Sequence, residues 1–477
     1  MKVKNRLPLK IAVAALVVAT GIVTLLGQSP TPVGGQRGAQ QGQRGGQGQQ
    51  QPSNLPANPV VTPLPAISAE VTGPGRMLPA LMTLRSGDDM AHFKYEAKEY
   101  FVSGAANGQP YKTRIVVRKP SDNSRFSGLV LAESMHPSGN AWMFHFTHTY
   151  TMASGHIGLE IVTSDPAQFV EYSPERYRDL KITQGQAPEI IAQVGALMKS
   201  SRQDNPLAGL PLRKMILAGT SASAGTLVQY LPSHMVYRLP DMKPVYDGFL
   251  PTSNGANIRQ IDVPMIQVPT MTEVMNGNAT TRQDGDASGD QFRVYEFAGM
   301  PHLDSREAEA YTPDPCKNPI TKFPLGAYMS VALDHLFKWV DKGAVPPRAD
   351  RILVDRNAAN DGSLMALDEY GNPRGGIRNP YVDFPVKKYG VPNTAAVPPI
   401  PNAHPFIAVR GPGGAEQLCR LAGYDLALSQ EQLKKLYKNK KDYQGKVEQR
   451  LNELTKQGWS LPVYKDLILG DAAKVSF

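Results

Sequence analysis

Short apolar runs separated by helical patterns organise this chain. Lys94–Ser103 (KYEAKEYFVS) alternates in part, ends at Gly-Ala-Ala-Asn-Gly, and precedes Tyr111–Lys119 (YKTRIVVRK), which predicts an antiparallel pair at a sheet edge. Phe126–Glu133, Ile157–Thr163, Met215–Ala218, Tyr246–Pro251, Pro264–Val268 and Phe292–Phe297 read as further short, buried strands. Between and after them, Pro188–Lys199 opens on proline and is amphipathic, and Gly326–Lys342 is a stronger amphipathic helix. This alternation predicts an α/β class with a mostly parallel central sheet covered by helices on both faces. Gly343–Gly414 is rich in Pro, Gly and Asn with little periodicity, so it is expected to wrap the core as long loops. Ser429–Lys456 carries two Lys- and Glu-dense helical patterns broken near Lys441-Asp442-Tyr443, a packed helical extension from about residue 415. No internal repeat is present.

The amino terminus follows a different pattern. Lys2, Lys4, Arg6 and Lys10 precede an apolar run from Ile11 to Gly27, which reads as an export signal, either cleaved or kept as an N-terminal membrane anchor. Residues 28–66 form a Gly/Gln/Pro-rich tract that buries too little to offset its conformational entropy, and it is expected to be a disordered tether. The folded part is then expected over 67–477, outside the cytoplasm, periplasmic or secreted. Six basic residues precede the first acidic one, Glu70, so six of the nine charges in the net +9 belong to the arm and tether. A basic balance placed there gives no case for nucleic-acid binding. Two cysteines, Cys316 and Cys419, are too few for a cysteine-built zinc site, and either a disulfide or two buried thiols fits them.

Lys214–Pro232 (KMILAGTSASAGTLVQYLP) concentrates the chemistry. An apolar strand runs into a turn of small residues and then a helix, the local form in which a strained serine is exposed above a sheet. Gly219 and Ser223 are the small residues that such a turn requires on either side of Ser221. Serine at a strand–helix junction also serves as an ordinary helix cap, and Ser223 is a second candidate nucleophile. Register favours Ser221, because Gly219 directly ends the strand.

A serine hydroxyl needs a base, and the base needs an orienting carboxylate. His302 follows the Phe292–Phe297 strand through the turn Ala298-Gly-Met-Pro-His302 and is the favoured base. His234 and His335 lie on helical stretches, and His404 lies in a Pro-rich loop. Glu273, in Pro-Thr-Met-Thr-Glu after the Pro264–Val268 strand, is the favoured acid. Asp284, Asp286 and Asp290 are rivals in a loop that lacks the Glu a calcium loop needs at its twelfth position, and Glu296 suits an ion pair. For the oxyanion, the expected donors are the amides of Ala222 and of Ser134 or Met135 after the Phe126–Glu133 strand. His136 there either lines the pocket or caps the turn. His145 and His148 have ligand-like spacing without a third ligand, so no metal is expected.

With these residues assembled, the chain resembles the large exported bacterial α/β-hydrolase-domain proteins of the serine-esterase type. The resemblance runs from about Glu96 to near the carboxyl terminus. It rests on Glu99-Tyr-Phe-Val-Ser-Gly-Ala-Ala-Asn107, Tyr111-Lys-Thr-Arg-Ile-Val-Val-Arg118, Tyr295-Glu-Phe-Ala-Gly-Met-Pro-His302 and Gly371-Asn-Pro-Arg-Gly-Gly-Ile-Arg378. The tail from Leu436-Tyr437 through Gly458-Trp-Ser-Leu-Pro462 adds to it. It implies a G-x-S-x-S elbow with Ser221 as nucleophile, Thr272-Glu273 supplying the acid and Gly299–His302 the base. Glu133-Ser-Met-His-Pro137 departs from the group's bulkier version. The expected activity is cleavage of a small-molecule carboxylic ester through an acyl-enzyme, with no cofactor. The alternatives are cleavage of another acyl bond, an amide or a polymeric ester, and a catalytically silent ligand-binding envelope protein with the same fold.

Overall fold

The edge hairpin forms where the alternating pattern meets an Asn-Gly pair. β3 (Tyr95–Ala106) and β4 (Gln109–Pro120) pair antiparallel along their whole length, joined by Asn107 and Gly108 with φ of 49° and 68°. Two successive positive φ values are what a two-residue hairpin turn requires, and Asn-Gly tolerates them best. The computed structural model describes residues 55–277, 279–303, 306, 314–357, 363–398 and 414–477. The expected export segment, most of the tether and His404 lie outside the described residues. Val60–Val61 (β1) already pairs with Tyr237–Arg238 (β8), and Ala66–Ile67 (β2) pairs with β3, so ordered chain begins before residue 67.

The remaining strands are β5 (Leu129–Ser134), β6 (Ile157–Ile161), β7 (Lys214–Thr220), β9 (Gly248–Thr252), β10 (Met265–Gln267), β11 (Gly285–Ala287) and β12 (Asp290–Val294). With β2, β3 and β4 they make a ten-stranded sheet in the order β11-β12-β10-β9-β7-β5-β6-β4-β3-β2. The central six strands, β12 to β6, are parallel. Period-two alternation sends each strand's side chains to two cores. Met215 and Leu217 face α4 (Ala187–Met198) and α5 (Ala222–Val236). Ile216 and Ala218 face α1 (Trp142–Ala153) and α7 (Leu325–Lys342). The mostly parallel sheet covered on both faces is the architecture the alternation predicted.

Two helices carry no such periodic signal or shift from it. α1 is buried nearly all round, so its sequence shows no polar stripe. Its amino end is capped from the sheet, where Glu133 accepts the N–H groups of Met143 (2.9 Å) and Phe144 (2.8 Å). At the carboxyl end, the break between α10 (Gln430–Leu436) and α11 (Lys440–Gln457) falls earlier than expected, because Asn439 caps α11 through Asp442 N–H. The chain after α7 adds a short antiparallel pair of β13 (Lys387–Gly390) with β14 (Tyr424–Ala427). Cys316 and Cys419 form a disulfide with Cα atoms 5.5 Å apart. Among the described residues no helix is long and apolar enough to cross a membrane.

Buried histidines give the fold a pH dependence. Burial pushes His145 down to about 3 and His156 and His335 down to about 4, from an ordinary 6.5. Below 6.5 the unfolded chain takes up protons that the folded chain refuses, so stability falls as pH drops from 6.5 towards 4. Burial of Glu133, pushed up to about 8, works in the opposite sense between 4.5 and 8. Burial lowers His234 in the same sense, so the histidines together outweigh the one carboxyl, and unfolding takes up protons as pH falls from 6.5 to 4.5. Denaturant titrations at pH 7 and 4.5 are expected to differ in that direction, and equal stabilities would refute the burial argument.

Candidate active site

The turn after β7 is built around backbone strain. Ser221 has φ 54° and ψ −120°, a conformation that costs a serine about 1–3 kcal/mol. The chain on either side enforces it. A Cβ on Gly219 would lie 2.5 Å from the Ser223 carbonyl oxygen, so strand and helix approach closely enough to exclude any larger residue. Gly219→Ala is therefore expected to lower the melting temperature by several degrees and to cost activity, since relief of the clash must move Ser221. Unchanged melting and turnover would show that the elbow is less tightly packed.

The two serines of the turn have separate tasks. Ser223 is fully buried, and its hydroxyl accepts Thr220 N–H and donates to Thr220 O, both at 2.9 Å. It fastens the turn, which explains how serine can stand where a smaller residue is usual. Ser221 is partly exposed, and its hydroxyl makes no capping bond to α5. The ordinary capping role considered for a serine here is thus not what Ser221 does.

The residues expected as acid and base, Glu273 and His302, come from the ends of neighbouring parallel strands. β10 leads to Thr270 and the short helix α6 (Met271–Val274), where Glu273 closes a capping box by accepting Thr270 N–H at 2.8 Å and Thr270 O–H at 2.6 Å. Its other oxygen accepts from His302 Nδ1 at 2.7 Å. Burial would raise the Glu273 carboxyl, but the His302 ring beside it and the Thr270 donors outweigh that and hold it below the usual range. Glu273 is thereby ionised and accepts the hydrogen bond from His302 Nδ1. His302 arrives through Gly299, whose φ of 90° and close approach to Phe323 and Val382 exclude a side chain.

Backbone bonds knit the loops along this edge. Ser221 N–H donates to Thr252 O (3.1 Å), Ser253 N–H to Val268 O (2.8 Å), and Met271 N–H to Met300 O (2.9 Å). These link the elbow through β9 and β10 to the acid and base loops. Glu273 and His302 are in contact; among the described residues no hydrogen bond joins Ser221 to His302. Such bonds are often long before substrate binds.

The rivals are occupied elsewhere. Asp286 pairs with Arg293 and Arg348, each at 2.5 Å, Asp290 pairs with Arg282, and Asp284 accepts Val294 N–H, all at the far sheet edge. Glu296 holds Arg351 and Ile352 N–H. His234 bonds Asp262 at 2.9 Å and His335 bonds Tyr295 at 3.0 Å inside the core. His148 lies between His145 O and Asp88. No group of three or more His, Cys, Asp or Glu among the described residues could hold a metal ion.

The oxyanion side is the part that the sequence placed least well. Ala222 is the first residue of α5, so its N–H has no acceptor within the helix. Met135 N–H, an expected second donor, is spent on Ile161 O at 2.8 Å, because β5 continues its ladder with β6 one residue further. Ser134 ends β5 with its hydroxyl 2.6 Å from Thr163 Oγ1. His136 Nδ1 accepts Ser138 N–H at 3.0 Å, and Ser138 Oγ accepts Trp142 Nε1–H at 3.0 Å, so this ring ties the turn together. Sequence reading missed the lock at Ser223 and the Glu133 cap; the signal for the latter was a carboxylate inside an otherwise apolar strand.

Similarity to solved structures is remote. The chain is 13% identical to a cold-adapted esterase from an Arctic intertidal metagenomic library, with a TM-score of 0.24 and coverage of 45% of this chain and 89% of that one. It is 14% identical to a hyperthermophilic esterase from the archaeon Pyrobaculum calidifontis, TM-score 0.23, covering 34% of this chain and 46% of that one. For brefeldin A esterase, a bacterial homologue of human hormone sensitive lipase, identity is 9% and TM-score 0.22, with 33% and 40% covered. No curated protein matches the chain. The family whose description is alpha/beta hydrolase domain matches residues 60–469, nearly the whole described fold, and the chain belongs to that family.

Proposed function

We propose that this protein is a serine hydrolase that cleaves carboxylic esters of small molecules through an acyl-enzyme. The observation that carries the reading is the strained, uncapped Ser221 on the same sheet edge as the Glu273–His302 pair. Ser221 Oγ attacks the carbonyl carbon while its proton passes to His302 Nε2. Glu273 balances the imidazolium, and Ala222 N–H stabilises the oxyanion. His302 then protonates the departing alcohol oxygen, leaving Ser221 acylated. Water attacks the acyl carbon, gives its proton to His302, and the acid leaves as Ser221 recovers its hydrogen. Hydrolysis of p-nitrophenyl esters of graded acyl length tests this. Turnover that favours one chain length is expected, and a folded protein without turnover would favour the ligand-binding alternative.

We further propose export, with residues 1–27 as signal or anchor. The basic-then-apolar amino terminus supports it, and so does the Cys316–Cys419 disulfide, which suits an oxidising compartment.

A further inference from the structure

We propose that the Cys316–Cys419 disulfide and the helix it holds, α9 (Gly414–Ala422), position the acid and base of the site. The inference rests on the roles given above to Glu273 and His302. α9 touches both of their loops. Leu421 O accepts from Thr272 Oγ1 at 3.4 Å, next to Glu273 in the chain. Gly423, with φ 63°, ends α9 so close to the base loop that a Cβ there would lie 3.3 Å from Pro301 Cβ and 2.8 Å from Gly390 O. Leu303, on the other side of His302, packs against the small cluster of Cys316, Ile320, Leu418, Cys419 and Ala422. One nine-residue helix thus braces positions 272, 301 and 303.

The helix buries few large side chains, and Glu416 accepts Ala395 N–H at 3.0 Å. Its buried side chains are Leu418, Cys419 and Ala422, and only Leu418 among them is large. Cys419 is fully buried at the centre of that face and is bonded to Cys316, in a hydrogen-bonded post. In the post, Asp314 accepts the N–H groups of Cys316 (2.9 Å) and Ile320 (2.7 Å), and Lys317 N–H donates to Thr394 O at 2.8 Å. Asn393 joins the same post to the end of α9, donating to Asn318 O and Gly423 O. The elbow is held by Ser223 within its own turn and by Thr252 of β9, on the sheet side of the acid and base loops. Loss of the disulfide therefore frees the acid–base loops while Ser221 stays in place.

The test compares oxidised wild type, phosphine-reduced wild type and Cys316→Ser/Cys419→Ser on p-nitrophenyl butyrate. Each is also measured in a Glu273→Gln background. Opening the disulfide is expected to lower kcat by about 10- to 100-fold with KM nearly unchanged, reversibly on reoxidation. In the Glu273→Gln background the same change is expected to have little further effect, because the pair it aligns is already broken. Thr272→Val, which keeps the disulfide and removes only the bond to Leu421, is expected to lower kcat by a few fold; it serves if the double serine variant does not fold. Equal kcat with and without the disulfide overturns the proposal, as does a loss of the same size in both backgrounds, which marks general loosening. Wild type without turnover overturns the esterase reading itself, and this inference with it.

Discussion

Ser221→Ala is expected to lower kcat on a short acyl ester by about 10⁵-fold and leave stability within about 1 kcal/mol of wild type. Both halves follow from the turn. The hydroxyl of Ser221 makes no capping bond, so its removal leaves no backbone group newly unpaired. Alanine accepts the same φ of 54° at a similar cost. Ser223→Ala has the opposite signature. It leaves Thr220 N–H and C=O without their buried partner, at a cost of about 1–3 kcal/mol in stability, while the nucleophile remains. Two serines two residues apart are thus separable by two measurements, turnover and unfolding. A Ser223→Ala variant that is dead but as stable as wild type would exchange their roles.

Glu273→Gln is expected to cost about 10³- to 10⁴-fold in kcat, again without unfolding the protein. Glutamine at this position can still complete the capping box with Thr270, so α6 should persist. What changes is the other side of the group. His302 Nδ1 loses a charged acceptor at 2.7 Å, and the imidazolium that forms as Ser221 attacks loses its counter-charge. The ionised state of Glu273 matters here. Because its carboxyl is held low by His302 and Thr270 against the effect of burial, the charge is present throughout the neutral range. The stability that this pairing contributes is complete above the ordinary carboxylate value and is lost as pH falls through the depressed one. A Glu273→Gln enzyme with wild-type kcat would assign the acid to another carboxylate.

The sequence spoke most clearly where burial imposed a period. The strands read as Ile157–Thr163 and Phe292–Phe297 appear at those places, shifted by a few residues, and the helix read over Pro188–Lys199 spans Ala187–Met198. Element ends moved because ladder pairing, not composition, stops a strand: β4 runs to Pro120 because β3 supplies partners that far. α1 was silent because a helix buried on all sides shows no stripe. The contact of Glu273 with His302 was legible because both residues follow apolar strands within a short turn. The oxyanion side was not, since the direction of a backbone N–H depends on ladder register, and Met135 turned out to be bonded to β6. α9 was equally hidden, for its importance lies in contacts with residues more than a hundred positions away.

The central claim is that Ser221 is the atom donor for a covalent intermediate, and labelling tests it most directly. The folded protein would be treated with a fluorophosphonate, digested, and the modified peptide sequenced by mass spectrometry. One adduct on Ser221, abolished in Ser221→Ala and slowed in Glu273→Gln, is the predicted result. An adduct on Ser223, or none on a folded protein that still hydrolyses esters, would contradict the account.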